Sequence, residues 1–327
     1  LKLIRFLCVF FPTIAVASPG ALSISWDNDL LTGTDKGYTN GLRLSYLGPT
    51  AENGRDCDMC LSHIAKDRLD WLPVIGRNGN SHTLTLSLTQ LMVTPENIQA
   101  TGPVYEDLPY AGYLSGSGTL WSWSARSLTG FGLAIGIIGP DSGAKATQSW
   151  VHKFTGSTRP NGWDNQLGTD VIGEIHAFHA RRLFRKKMAN SLSQEMSWMS
   201  GGKLSNFISS GELGVSWRIG TNLPANLIPD YAGASSTIGL PGSLDSPGPG
   251  WAAFIGAGVE VVPYTYLEKQ SGRYDYDQRL LVGLAGIGIG WHAPGFQLAI
   301  TLRATTSQDE TNKDALSFGT VSAAWRF

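Results

Sequence analysis

The chain has 327 residues, a net charge of −1 and only 16% charged residues, against about 25% in an ordinary soluble domain. That balance gives no bulk attraction for nucleic acid, which is excluded as a partner. Low charge with 40 glycines, 11 Trp, 10 Tyr and 12 Phe suits a membrane β-barrel; a soluble sandwich could share the glycines but would carry more charge.

Residues 1–17 read as a secretory signal peptide. Lys2 and Arg5 form a basic start, Phe6 to Ile14 an apolar run, and Ala15-Val16-Ala17 a small-x-small cleavage pattern before Ser18. Residues 18–327 are then expected to form one barrel with extracellular loops. The apolar run is too short to span a bilayer, and no later window offers the roughly 18 apolar residues of a transmembrane helix. In an exported protein Cys57 and Cys60 are compatible with a disulfide. Leu61 stands where a haem-attachment motif needs His.

Next come two alternating segments. Leu22, Ile24 and Trp26 share one face against Ser23, Ser25 and Asp27. Leu42, Leu44 and Tyr46 share one against Arg43 and Ser45. A period of two means strands with one apolar face. Their facing ends carry Asp27-Asn28-Asp29 and Tyr38-Thr39-Asn40, so carboxylates, amides and a hydroxyl gather at one hairpin. Asn28 shares the parity of Leu22, Ile24 and Trp26, which points it to the lipid side of the wall and not the lumen.

Residues 48–80 read as irregular. A third strand is expected over Thr83–Gln90, a fourth around Leu114–Arg126, a turn at 127–130 and a fifth strand over Phe131–Ile138. Residues 139–168 read as a long polar loop. A strand pair follows at 169–182 and 193–201, over a basic turn from Arg181 to Lys187. An eighth strand at 211–220 precedes a Pro/Gly/Ser-rich linker at 223–250. The last four strands are expected at 251–268, at a segment ending in Trp291, at 296–303 and at 315–327. Twelve such segments are the signature of an all-β, transmembrane antiparallel barrel. Lipid offers no partner to a free strand edge, so the sheet must close. With both termini periplasmic, the 1–2 and 5–6 loops face outside and the two cysteines lie in the periplasm. The protein is expected to act as a monomer.

Of the six histidines, only His152 lies in a long polar outer loop. Gln148 precedes it by four residues, and the loop shares a rim with Asn28 and Asp29. Histidine is the side chain best suited to general-base work near neutrality. No Gly-x-Ser-x-Gly elbow is present, so a serine nucleophile is not the default.

Several motifs resemble those of the outer-membrane lipid A 3'-O-deacylases. They are Ile24-Ser25-Trp26-Asp27-Asn28-Asp29 with Gly37-Tyr38-Thr39-Asn40-Gly41-Leu42; Gln90 to Pro95 with Asp107 and Pro109-Tyr110-Ala111-Gly112; and Ile138-Gly139-Pro140-Asp141 with Gln148, His152 and Gly162-Trp163-Asp164-Asn165-Gln166. The resemblance implies a twelve-stranded barrel in the bacterial outer membrane. It implies a calcium-dependent carboxylic ester hydrolase that removes the 3'-linked acyloxyacyl group of lipid A, the lipid anchor of lipopolysaccharide. His152 matches the general base, and Asn28, Asp29, Thr39 and Gln148 match the other polar site positions. Asp29 is the first choice as a Ca²⁺ ligand, with Asn28 and Thr39 as further ligands or oxyanion donors. The chain departs from the family at Leu108, where an arginine is expected, and near Thr94-Pro95-Glu96-Asn97 and Ser157-Thr158-Arg159, where a lysine and an acidic residue are missing. A passive porin or an adhesin barrel is the alternative reading.

Overall fold

The computed structural model describes residues 20–28, 37–50, 60–77, 79–155, 158–188, 191–223, 248–271, 274–311 and 315–327. The expected signal peptide, Asp29, Lys36, Cys57 and most of the 223–250 linker lie outside the described residues. So does the side chain of Thr39. Cys60 is disulfide-bonded.

Twelve antiparallel strands close into one barrel. They are β1 (Ala21–Asn28), β2 (Gly37–Leu47), β3 (Ser81–Thr94), β4 (Ala111–Trp123), β5 (Ser127–Ile138), β6 (Asp170–Lys187), β7 (Leu192–Ser205), β8 (Ile208–Thr221), β9 (Gly250–Thr265), β10 (Leu281–Ala293), β11 (Phe296–Thr305) and β12 (Leu316–Arg326). Closure comes from β1 pairing with β12, from Ala21 opposite Arg326 to Asn28 opposite Gly319. This leaves no edge for lipid to strand.

Period two sorts the side chains. Leu133, Ile135 and Ile175 on the outer face are 61%, 66% and 61% exposed, as expected of a wall that meets lipid tails. The inner face is polar but packed. Ser45 and Ser87 share a 2.8 Å hydrogen bond across β2 and β3. Mid-lumen, His176 Nδ1 donates to Glu174 Oε1 at 3.0 Å, and its Nε2 lies 3.0 Å from Thr119 Oγ1. Apolar clusters flank this group along the barrel axis. Trp121, Leu128, Phe178 and Met199 pack toward the end that carries the chain termini. Tyr113, Ile138, Ile172 and Phe207 pack toward the far end, beside a cavity of about 200 Å³.

Four local expectations need correction. Residues 61–68, read as irregular, form helix α1 (Leu61–Arg68), held to β3 by Leu84 N donating to Ser62 Oγ at 3.0 Å. The turn expected at 127–130 falls at Ser124–Ser127, where Ser124 N donates to Ser127 O at 2.9 Å, so β5 starts earlier. The basic run Arg181–Lys187 is strand, not turn, because pairing with β7 continues to Lys187 opposite Ser193. Glu195 makes this affordable in the lumen by accepting from Arg182, Arg185 and Arg218. Finally, the 139–168 loop holds helix α2 (Ala144–Thr155). A short helix α3 (Tyr266–Ser271) follows β9.

Candidate active site

The far ends of β1 to β4 align in one transverse row. Asn28 stands opposite Asn40, Asn40 opposite Met92 and Met92 opposite Gly112. Four positions back toward the terminal end, on the same face, run Ile24, Leu44, Leu88 and Gly116, with Leu44 45% and Leu88 51% exposed. The row therefore lies on the outer wall, as the alternation predicts for Asn28. Yet Asn28 is only 6% and Met92 3% exposed, so this stretch of outer wall is covered. Thr39 is the extra residue of a β-bulge between Tyr38 and Asn40, a device that re-aims side chains beside functional sites.

The segment after β5 supplies the cover. Gly139 adopts φ +96, a conformation that suits glycine, and a Cβ there would stand 2.5 Å from Gly168 O. Its N–H donates to Gly112 O at 2.8 Å, which folds the chain back over β4. A 3-10 turn, Pro140–Ser142, leads into α2. Gln90 Nε2 donates to Ser142 O at 2.8 Å. At Gly112 a Cβ would meet Ser142 Oγ at 2.2 Å and Ala144 Cβ at 2.4 Å. The missing side chain is what lets α2 lie against the outside of the barrel. We expect Gly112→Val to lift α2 and cut activity about 10- to 100-fold, since an ångström of misplacement has effects of this size. Heat-modifiability on gels should be kept, because the strand ladders are untouched.

On α2 the wall-facing side runs Ala144, Gln148 and His152, each four residues from the last. Ala144 packs with Met92, Tyr110 and Trp163. Gln148 is 2% exposed. Its Oε1 accepts from Trp163 Nε1 at 2.6 Å. An indole N–H can only donate, so it settles which end of the amide faces it. The NH₂ group points away, buried and without a hydrogen-bond partner among the described residues. His152, in the last turn, is partly exposed. Its Nδ1 donates to the Thr158 carbonyl, which leaves Nε2 with a free lone pair. Two neighbouring loops brace the assembly. Tyr110 lies 4.9 Å from Trp163, ring to ring, and donates from its hydroxyl to Ile98 O at 2.9 Å. Lys145 bridges α2 to Asp164 at 2.5 Å.

The structure thus brings Gln148 and His152 together on the outer wall over β3 and β4. Asn28 lies on the same row, roughly 14 Å around the wall at about 4.8 Å per strand. His176 is excluded as an accessible base: it is buried in the lumen with both ring nitrogens engaged. Trp163, quoted in a motif but given no role from sequence, is the main addition. The indole–amide contact spans fifteen positions, which no local pattern could reveal. Asp107 serves its own loop by accepting from Glu96 N at 2.7 Å. Leu108 packs on the far-end apolar cluster, where an arginine would be out of place.

The donors that the family resemblance implies for a metal are all oxygen: a carboxylate at Asp29, an amide at Asn28 and a hydroxyl at Thr39. Such a set fits a hard cation such as Ca²⁺ and not zinc. Of the three side chains only Asn28 is described, and it is buried on the row that α2 helps to cover. Among the described residues no group of three or more His, Cys, Asp or Glu could hold a metal.

A family model described as "Outer membrane protein LpxR" matches residues 3–327. Among solved structures, LpxR from Salmonella typhimurium is similar with a TM-score of 0.67 at 16% identity, covering 93% of this chain and 99% of that one. The β domain of the Bordetella autotransporter BrkA has a TM-score of 0.46 at 10% identity, over 95% of this chain and 98% of that one. No curated protein sequence matches.

Proposed function

Because this chain belongs to the LpxR family of outer-membrane proteins, we propose that it is a lipid A deacylase that hydrolyses the 3'-linked acyloxyacyl ester of lipid A. The far end of the barrel, with α2, then faces outside at the level of the outer leaflet, and the termini face the periplasm. One observation carries the reading: the helix bearing His152 and Gln148 lies on the outside of the barrel wall, where a lipid substrate would sit. The porin alternative predicts conductance in planar bilayers, and a folded barrel without conductance would reject it.

In the proposed reaction, His152 Nε2 takes a proton from water as the oxygen attacks the ester carbonyl. The Thr158 carbonyl holds the tautomer and stabilises the imidazolium that forms. The carbonyl oxygen becomes an oxyanion, and the unpartnered NH₂ of Gln148 supplies a donor for it. Collapse breaks the bond to the sugar oxygen, which takes the proton back from His152. The products are a free acyloxyacyl acid and 3'-deacylated lipid A. A Ca²⁺ ion held by Asp29, with Asn28 and Thr39, would add positive charge at the oxyanion.

Mass spectrometry of lipid A from cells with and without the protein tests the activity; unchanged 3' acyl chains in expressing cells would reject it. Metal dependence is a separate prediction. Chelation of the purified protein should abolish deacylation, and added Ca²⁺ should restore it where Zn²⁺ does not. Full activity in the presence of chelator would remove the metal from the proposal.

A further inference from the structure

We infer that the terminal end of the β5–β8 sector is a contact surface for anionic phospholipid headgroups of the inner leaflet. The inference uses the orientation proposed above and is independent of the esterase chemistry. The whole chain carries a net charge of −1, but this end is strongly basic. Arg126, Arg181, Lys186 and Lys187 are all exposed there. Behind them, Arg182, Arg185 and Arg218 converge on Glu195. Glu195 is the one acidic residue among the described residues at this end of β5 to β8.

Apolar side chains are interleaved with these cations. A register shift between Arg182 and Phe184 makes Leu183 a bulge residue, and Leu183 and Phe184 are 55% and 43% exposed. The shift re-phases the strand, so that Arg185 reaches inward to Glu195 while Phe184 and Lys186 turn outward, opposite Met196 and Gln194. Arg181 stands opposite Trp198, on the face of lipid-exposed Ile175. Arg181, Phe184, Trp198 and Lys186 thus share the outer face at one membrane boundary. Aromatic rings settle at the edge of the hydrocarbon, and long basic side chains extend from it to phosphates. A zwitterionic headgroup offsets its phosphate with its own ammonium. Phosphatidylglycerol or cardiolipin does not, so the surface favours the anionic lipids.

A simpler account of Lys186 and Lys187 is protection of an open edge. β5 stops at Ser127 opposite Arg181 and Arg182 N still donates to Arg126 O, so β6 beyond Arg182 pairs only with β7, and lysines discourage edge-to-edge association. The two accounts separate in one experiment. The full-length barrel is placed in nanodiscs of phosphatidylethanolamine and phosphatidylglycerol, extracted gently, and the retained lipids are counted by native mass spectrometry. Wild type should retain phosphatidylglycerol above its bulk share. In the triple variant R181Q/K186Q/K187Q that enrichment should fall by at least about fivefold, the value of one interfacial cation. Heat-modifiability on gels confirms that the variant is folded, and the single variant K186Q should show a smaller loss. Equal enrichment in wild type and triple variant, or retention at bulk composition in both, overturns the inference. So does self-association of the triple variant with its lipid preference unchanged.

Discussion

Replacing His152 with Ala should lower the rate of lipid A deacylation by about 10²- to 10⁴-fold, the range for loss of a positioned general base. The structure makes this prediction specific. His152 is partly exposed on α2, and its Nδ1 hydrogen bond to the Thr158 carbonyl fixes the ring so that Nε2 is the accepting nitrogen. Removing it disturbs no strand ladder, so the variant should insert and remain heat-modifiable. The lumen contains an instructive control. Unlike His152, His176 has a carboxylate on Nδ1 and a hydroxyl on Nε2, an arrangement that superficially resembles a hydrolytic triad. It is buried between apolar clusters, so His176→Ala should reduce stability and spare turnover in whatever fraction folds. If His176→Ala abolished turnover in a folded barrel while His152→Ala left it intact, the outer-wall site would be the wrong one.

The second large effect is expected at Gln148. Loss of one oxyanion donor costs about 10²- to 10³-fold in kcat in well-studied hydrolases, and Gln148→Ala should fall in that range with little change in KM. Trp163→Phe keeps the Gln148 amide but removes the N–H that orients it. It also keeps an aromatic ring against Tyr110. This variant should lose roughly tenfold in kcat, because the amide is then free to present oxygen in place of NH₂ part of the time. A purely structural role for Trp163 would instead appear as lower thermal stability with kcat unchanged. Gln148→Glu is a further discriminator. A carboxylate repels a developing oxyanion, so it should be at least as damaging as Ala despite its matching size.

Much of this architecture is legible in the chain, because β-barrels write themselves in period two. Alternations such as those at Leu22–Trp26, Phe131–Ile137 and Gly211–Gly220 place strands and sort their side chains between lipid and lumen without any knowledge of pairing, except where a bulge re-phases the strand. The parity of Asn28 follows from the same rule and holds on the outer wall. Boundaries are less legible. Arg181–Lys187 looks like a turn because exposed charge is the usual mark of one, and only the buried carboxylate of Glu195, eight residues past Lys187, explains how cations can continue a strand. Helix α2 is hidden for a related reason. The side it buries carries Ala144 and the polar Gln148, while the apolar Trp150 stands exposed, so it does not read as a helix with an apolar buried face.

By itself, then, the sequence determined a twelve-stranded outer-membrane barrel and the side of the wall on which Asn28 lies, and both follow from local periodicity and composition. The candidate site residues came from the family resemblance. Only the tertiary structure decided that His152 and Gln148 sit on a helix laid against that same outer wall. It also decided that Gly112 makes room for the helix, that Trp163 orients the Gln148 amide and that His176 is locked in the lumen. Each of these depends on strand register or on contacts between residues far apart in the chain. Such contacts are set by packing across the closed sheet, and no local pattern of side chains encodes them.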